Sequence, residues 1–281
     1  MTHPLISFTD LLGKLGEDSL RILDVRTVIT DAAAGHDLYL DGHIPGAIYL
    51  SLDADLSAAA GPGRHPLPSA DDFKATLGAL GVGPEHHVVC YDDLGGAIAA
   101  RLWWMLEHIG HTETQVLDGG YPHWQAAALP TSADVPRYQP TKWESGATNN
   151  PVVDRGAVQS RLGTTIVLDA RAPDRYAGER EPLDAVAGHI PTSISADLVN
   201  NLRDGRFKTP GELLAIFAAR GVTSAEGVIN SCGSGVSACH NILAMRIAGL
   251  GQGTLYPGSW SDWSSSGLPI ALGSEPGSLP Q

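Results

Sequence analysis

The sequence predicts an α/β protein built from two copies of one domain, each a parallel sheet flanked by helices on both faces. Three observations predict it. Within each half of the 281-residue chain, short apolar runs alternate with longer amphipathic ones, the pattern of strands joined by covering helices. The length suits two domains of ~100–200 residues each, and a hydrophobic content of 43% can fill two cores. Above all, the chain repeats itself. Ile22-Leu23-Asp24-Val25-Arg26 recurs as Val167-Leu168-Asp169-Ala170-Arg171, and Gly42-His43-Ile44-Pro45 as Gly188-His189-Ile190-Pro191. Val88-Val89-Cys90-Tyr91-Asp92 then pairs with Val228-Ile229-Asn230-Ser231-Cys232, and Trp124 with Trp263. Four matched stations in one order set the organisation.

Taken in order, Arg21–Val25, Val88–Tyr91, Thr165–Asp169 and Gly227–Ser231 read as buried strands, being short, apolar and β-branched. Asp71–Leu80, Ala97–Ile109, Gly211–Arg220 and Val236–Ala248 carry the longer period of helices. Residues 1–130 form the first domain. Residues 131–150, with Pro136, Pro140, Ser145 and Gly146, hold no apolar period and read as a linker. Residues 151–281 form the second domain, with a loose Gly/Ser/Pro tail from about 273. Asp24 with Arg26, and Asp169 with Arg171, read as buried ion pairs at strand ends. Trp103, Trp104 and Trp124 read as packing residues.

Composition narrows the function. The formal net charge is −13, and no Lys/Arg run forms the basic stripe of a nucleic-acid binder. Nucleic acid and anionic membranes are poor partners, and an anionic substrate must be drawn in by local fields. Three cysteines make no disulfide framework and fit a reducing compartment. The N-terminus lacks the profile of a signal peptide, so a cytoplasmic protein is expected. The histidines make no compelling ligand spacing, so neither a metal nor another cofactor is expected.

The chemistry concentrates after one strand. Asn230-Ser231-Cys232-Gly233-Ser234-Gly235-Val236-Ser237-Ala238 reads as a strand end, a tight loop and a helix start. Gly233 and Gly235 let the backbone curl, and the backbone N–H groups from Gly233 through Val236 to Ser237 can converge on one point. The helix start adds its unsatisfied N–H groups and positive dipole end. Such a nest favours a thiolate, where a free cysteine ionises only near ~8.5, and equally favours the anion of a persulfide. Cys90 and Cys239, inside an apolar strand and an apolar helix, read as packing. A phosphatase loop would need Arg six residues after the cysteine to clamp an oxyanion; position 238 is Ala. A non-catalytic module that binds partners or senses redox state through Cys232 stands as an alternative from another class.

The paired Gly-His-Ile-Pro stations, the Cys-Gly-Ser-Gly-Val-Ser loop and the ending Tyr256-Pro257-Gly258-Ser259-Trp260-Ser261-Asp262-Trp263 resemble the tandem rhodanese-fold sulfurtransferases, which comprise thiosulfate and 3-mercaptopyruvate sulfurtransferases. The resemblance implies two rhodanese-like domains of which only the second is catalytic. Asp92, standing where the second copy has Cys232, agrees. It implies that Cys232 takes sulfur from a small anionic donor as a persulfide and passes it to a thiol such as thioredoxin or a low-molecular-weight thiol, or to cyanide.

The thiosulfate enzymes typically place Arg and Lys after the cysteine. Gly233 and Ser234 stand there and resemble the mercaptopyruvate branch instead. That branch uses a Ser-His-Asp set, which the resemblance places at Ser234, His65 and Asp53. Histidine titrates near neutrality and can move the donor's thiol proton to the departing enolate. Of the branch's two carboxylate-binding arginines, Arg175 matches the first. Leu183 stands where the pattern has the second, with Arg180 nearby but off the matching position. Thiosulfate therefore remains the alternative donor.

Overall fold

The computed structural model describes residues 3–31, 33–144 and 149–279. Ser145 and Gly146 of the expected linker and the last two residues of the expected tail lie outside them, as do the first two residues of the chain. The chain divides into two compact units. The first is Met1–Ala59, Leu67–Asn149 and Asp204–Arg206; the second is Ala60–Pro66, Asn150–Arg203 and Phe207–Gln281. Residues 60–66, early in the chain, thus group with the later unit.

In the first unit, β1 (Leu5–Ile6), β2 (Leu20–Asp24), β3 (Ala47–Tyr49), β4 (His87–Tyr91) and β5 (Thr114–Leu117) form a sheet in the order β1-β5-β4-β2-β3. All its neighbours are parallel. Helices α1 (Phe8–Lys14), α2 (Ala34–Asp41), α3 (Ala70–Ala79), α4 (Ala99–His108) and α5 (Gly120–Ala126) flank it. Strands β2 and β4 are apolar with few exceptions because both faces are covered. Trp103, Trp104 and Trp124 are wholly buried. The stretch expected as linker lies along this unit as far as it is described. Ser132 pairs with His43, the Tyr138 hydroxyl donates to Gly46 O, and Trp143 Nε1 donates to Val82 O.

In the second unit, α6 (Arg155–Arg161), β6 (Val167–Asp169), α7 (Pro173–Ala177), β7 (Ile194–Ser195), β8 (Leu202–Arg203), β9 (Arg206–Phe207, whose Arg206 groups with the first unit), α8 (Pro210–Ala218), β10 (Ile229–Ser231), α9 (Ala238–Ile247), β11 (Thr254–Leu255) and α10 (Ser259–Ser264) follow in order. The main sheet runs β11-β10-β6-β7, again parallel. Of the expected tail, Pro276 O accepts from Thr192 N–H. Among the described residues no helix is long and apolar enough to cross a membrane.

The repeated motifs have one physical reason in both units. Arg26 chelates the Asp24 carboxylate and donates to Gly42 O at 2.7 Å. Arg171 chelates Asp169 and donates to Gly188 O at 2.8 Å. The histidine that follows each glycine is fully buried. His43 stacks on Tyr39 with centroids 3.9 Å apart, and His189 on Tyr176 at 3.8 Å. Each set ties a strand end to the loop that returns to it. Because Ser231 pairs with Asp169 across β10 and β6, Cys232 and Arg171 emerge just past the carboxyl ends of adjacent strands, where open α/β sheets hold their ligands.

Candidate active site

Cys232 directly follows β10 and is only 1% exposed, so its side chain is shielded from water. Its backbone is pinned from α10. Cys232 N–H donates to Ser259 Oγ at 3.0 Å, Trp260 N–H to Cys232 O at 3.0 Å, and Ser261 N–H to Gly233 O at 2.9 Å. Ser259 holds φ at +50° and is fully buried, a strained placement that brings its hydroxyl to the cysteine's amide. Gly235 sits at φ +76°, and a Cβ there would lie 2.3 Å from Pro257 O. That turn needs glycine both for its dihedral and for space.

The first unit displays what this loop shape does. Asp92, at the matching station, is fully buried. One of its oxygens accepts N–H bonds from Leu94 (2.9 Å) and Gly96 (2.8 Å), the other from Ile98 and Ala99 (2.8 Å each). Four amides enclose one carboxylate. At the corresponding places in the second unit, the N–H groups of Ser234, Val236 and Ala238 have no partner among the described residues, and the Cys239 N–H turns to Val236 O at 3.1 Å. The station that holds a carboxylate in one copy keeps three of its four donors uncommitted in the other, beside a thiol.

The charges around Cys232 are cationic and braced. Arg171 is buried against Asp169 and Glu181. Burial pulls its pKa down, but the Asp169 charge and hydrogen bonds, the Glu181 charge and the nearby Cys232 sulfur outweigh that and hold it above its usual value. Arg175 Nη2 donates to Glu181 Oε1 at 2.6 Å and stands 3.7 Å from Asp184 Oδ2. Burial raises Glu181, but the Arg175 hydrogen bond, the Leu183 N–H and the Arg175 charge prevail and leave it below the usual carboxylate value. Cys90, by contrast, is wholly buried, and desolvation, aided by the Asp92 charge, pushes its thiol well up. Cys239 is fully buried in α9.

Of the residues singled out in the sequence, Cys232, Gly233, Ser234, Gly235, Val236 and Ser237 share one loop. His65 joins them from far away in the chain, its Nδ1 2.8 Å from Ser234 Oγ. Arg175 reaches Gly233, where a Cβ would stand 3.4 Å from Nη2 and 3.5 Å from Nη1. Asp53 lies in the first unit, on the exposed turn that follows β3. Arg180 pairs with Asp174 near the surface and not with the loop. Sequence reasoning missed Arg64, whose Nη2 would stand 3.0 Å from the same Cβ at Gly233. It also missed Ser259 and the carboxylates Glu181 and Asp184. The signal for Arg64 was its place next to His65.

The rhodanese-like domain model matches the chain twice, at residues 7–127 and 154–266. This chain belongs to the tandem rhodanese-fold sulfurtransferases. Within that family it is similar to a Pseudomonas aeruginosa protein named "Probable 3-mercaptopyruvate sulfurtransferase", 39% identical over 279 residues, 96% of this chain and 98% of the relative. It is also similar to the Bos taurus thiosulfate sulfurtransferase, 34% identical over 259 residues, 89% and 86% of the two chains. The crystal structure of SseA from Escherichia coli, described with the fold and mechanism of 3-mercaptopyruvate sulfotransferases, superposes with a TM-score of 0.81. It is 31% identical, and the match covers 92% of this chain and 100% of that one. As a member of this family, the chain is a sulfurtransferase.

Proposed function

We propose that this sulfurtransferase moves sulfur from 3-mercaptopyruvate through a persulfide on Cys232. The supporting observation is the pair of matched loops: in one, four amides surround the Asp92 carboxylate, and in the other the same curl surrounds a cysteine. A Cys232 thiolate attacks the donor's sulfur, and the donor's C–S bond breaks with its electron pair going to the pyruvate enolate. The donor's thiol proton passes by way of Ser234 and His65 to the enolate, which leaves as pyruvate. The terminal sulfur remains as Cys–S–S⁻, its charge held by the loop amides. An acceptor thiolate then attacks that sulfur and regenerates the Cys232 thiolate; cyanide can do the same. Asp53 completes the proton-handling set in this reading, and Arg175 takes the donor's carboxylate.

The domain assignment follows. Residues 1–130 form the copy that carries no sulfur, since the Asp92 carboxylate cannot accept it, although residues 60–66 group with the later unit and bring His65 to the loop; residues 151–281 form the catalytic copy that holds Cys232. A thiol such as thioredoxin or a low-molecular-weight thiol is the acceptor proposed, in a reducing cytoplasmic setting suited to the three free thiols.

Thiosulfate is the second reading, favoured by the Arg64 guanidinium at Gly233, a cation where the thiosulfate enzymes carry one after their cysteine. Steady-state kcat/KM for both donors separates the two. The proposal expects mercaptopyruvate to be preferred, and a large thiosulfate preference reverses the choice.

A further inference from the structure

The guanidiniums of Arg64 and Arg175 both face Gly233, next to Cys232, and would crowd any side chain there to 3.0–3.5 Å. They come from stretches far apart in the chain that lie in the same unit. Asp184 stands between them. Its Oδ1 pairs with Arg64 Nη1, while its Oδ2 is 3.7 Å from Arg175 Nη2 and buried with no hydrogen-bond partner among the described residues. Arg175 Nε is likewise buried without an acceptor. The contact is therefore a full bond on one side and a loose one on the other. Glu181 fixes this turn by accepting the Leu183 and Asp184 N–H groups at 3.1 and 3.3 Å.

Counting charge along the ladder Asp169, Arg171, Glu181, Arg175, Asp184, Arg64 gives three cations and three anions. The ladder is neutral when Asp184 is seated. A donor anion bound on top would bring an uncompensated charge into a largely buried site, which is costly. Exchange of one carboxylate for another conserves the balance.

We infer that Arg64 supplies the second cation of the donor-binding seat, in place of the arginine absent at Leu183, and that the Asp184 carboxylate occupies this seat until the donor's anionic end displaces it. The inference deepens the sulfurtransfer reading and rests on it. The seat recognises a small anion with two oxygens to offer, a carboxylate above all, because a pair of guanidiniums presents parallel N–H donors to such a group. Asp184 acts here as a specificity-setting residue: it leaves the seat only for an anion that bonds both arginines better than it does.

The test is the affinity of the full-length protein for pyruvate, measured by titration calorimetry without turnover, in the unsubstituted protein and in Asp184→Asn, Arg64→Leu and Arg64→Lys. Asn is isosteric and should leave the fold intact. Removing the competing carboxylate is expected to tighten pyruvate binding about tenfold, and removing the Arg64 guanidinium to weaken it about tenfold or more, with Lys recovering part of the loss. Unchanged or weaker binding in Asp184→Asn, or unchanged binding in Arg64→Leu, overturns the seat. Sulfur loading of Cys232, read by mass in the same proteins, reports separately on the sulfurtransfer reading, so that the failure of one is not mistaken for the failure of the other.

Discussion

Replacing Asp92 by Asn probes the loop's physical property at the station where the proposed mechanism places no reaction. The carboxylate accepts four backbone N–H bonds at 2.8–2.9 Å and is fully buried. Asn keeps the shape and one oxygen. Its NH₂ group must then face two N–H donors, leaving both without an acceptor. Each orphaned buried donor costs about 1–3 kcal/mol, so the loss is about 2–6 kcal/mol, a large share of the ~5–15 kcal/mol that holds a domain. Urea unfolding followed by near-UV circular dichroism, to which the buried Trp103, Trp104 and Trp124 of the first unit contribute, should show the loss of that unit's signal moving to markedly lower urea. A midpoint shift equivalent to less than about 1 kcal/mol would mean that the curl is no anion cradle, and the argument carried over to Cys232 would fall with it.

Three further outcomes are expected. Gly235→Ala forces a Cβ to within 2.3 Å of Pro257 O at φ +76°, and sulfur transfer should drop at least tenfold while α9 and the core remain folded by far-UV circular dichroism; normal activity would contradict the loop's role. His65→Gln breaks the 2.8 Å link to Ser234 and should lower kcat with mercaptopyruvate by about 10²–10⁴. Thiosulfate, which brings no thiol proton, should be much less affected, and equal losses on both donors would count against proton relay. Glu181 lies below the ordinary value of 4.5, so its share of stability is complete above that value and is lost as pH falls through the lower folded value. Glu181→Gln should therefore cost about 1–3 kcal/mol at neutral pH, with the gap to the unsubstituted protein closing in acid; a gap that widens in acid would contradict the sign.

What could be read from the sequence follows from what the backbone determines. The strands at β2, β4, β6 and β10 and the helices at α3, α4, α8 and α9 are all present, with ends shifted by one or two residues where caps and not periodicity decide them. The Asp-x-Arg and Gly-His-Ile-Pro stations were legible as a repeat because each set must satisfy the same buried carbonyl and carboxylate. The Cys232 loop was legible because Gly235 has no substitute at its dihedral and its distance from Pro257. The meeting of His65 with Ser234 came only from the resemblance, since nothing in local pattern joins positions so distant. The second cation escaped for a related reason. A guanidinium on a long, flexible side chain can reach one point from several backbone positions, and here it arrives from Arg64, while Leu183 fills the expected place. The stretch after residue 130 shows no period, yet Tyr138 and Trp143 anchor it on the first unit through single hydrogen bonds, which no periodicity reveals.

The most direct test of sulfur carriage is the intact mass of the protein after incubation with 3-mercaptopyruvate and removal of excess donor. The expected result is a gain of one sulfur atom, localised by peptide mapping to Cys232, released by cyanide and absent in Cys232→Ser. No gain, or a gain carried by Cys90 or Cys239, would contradict it.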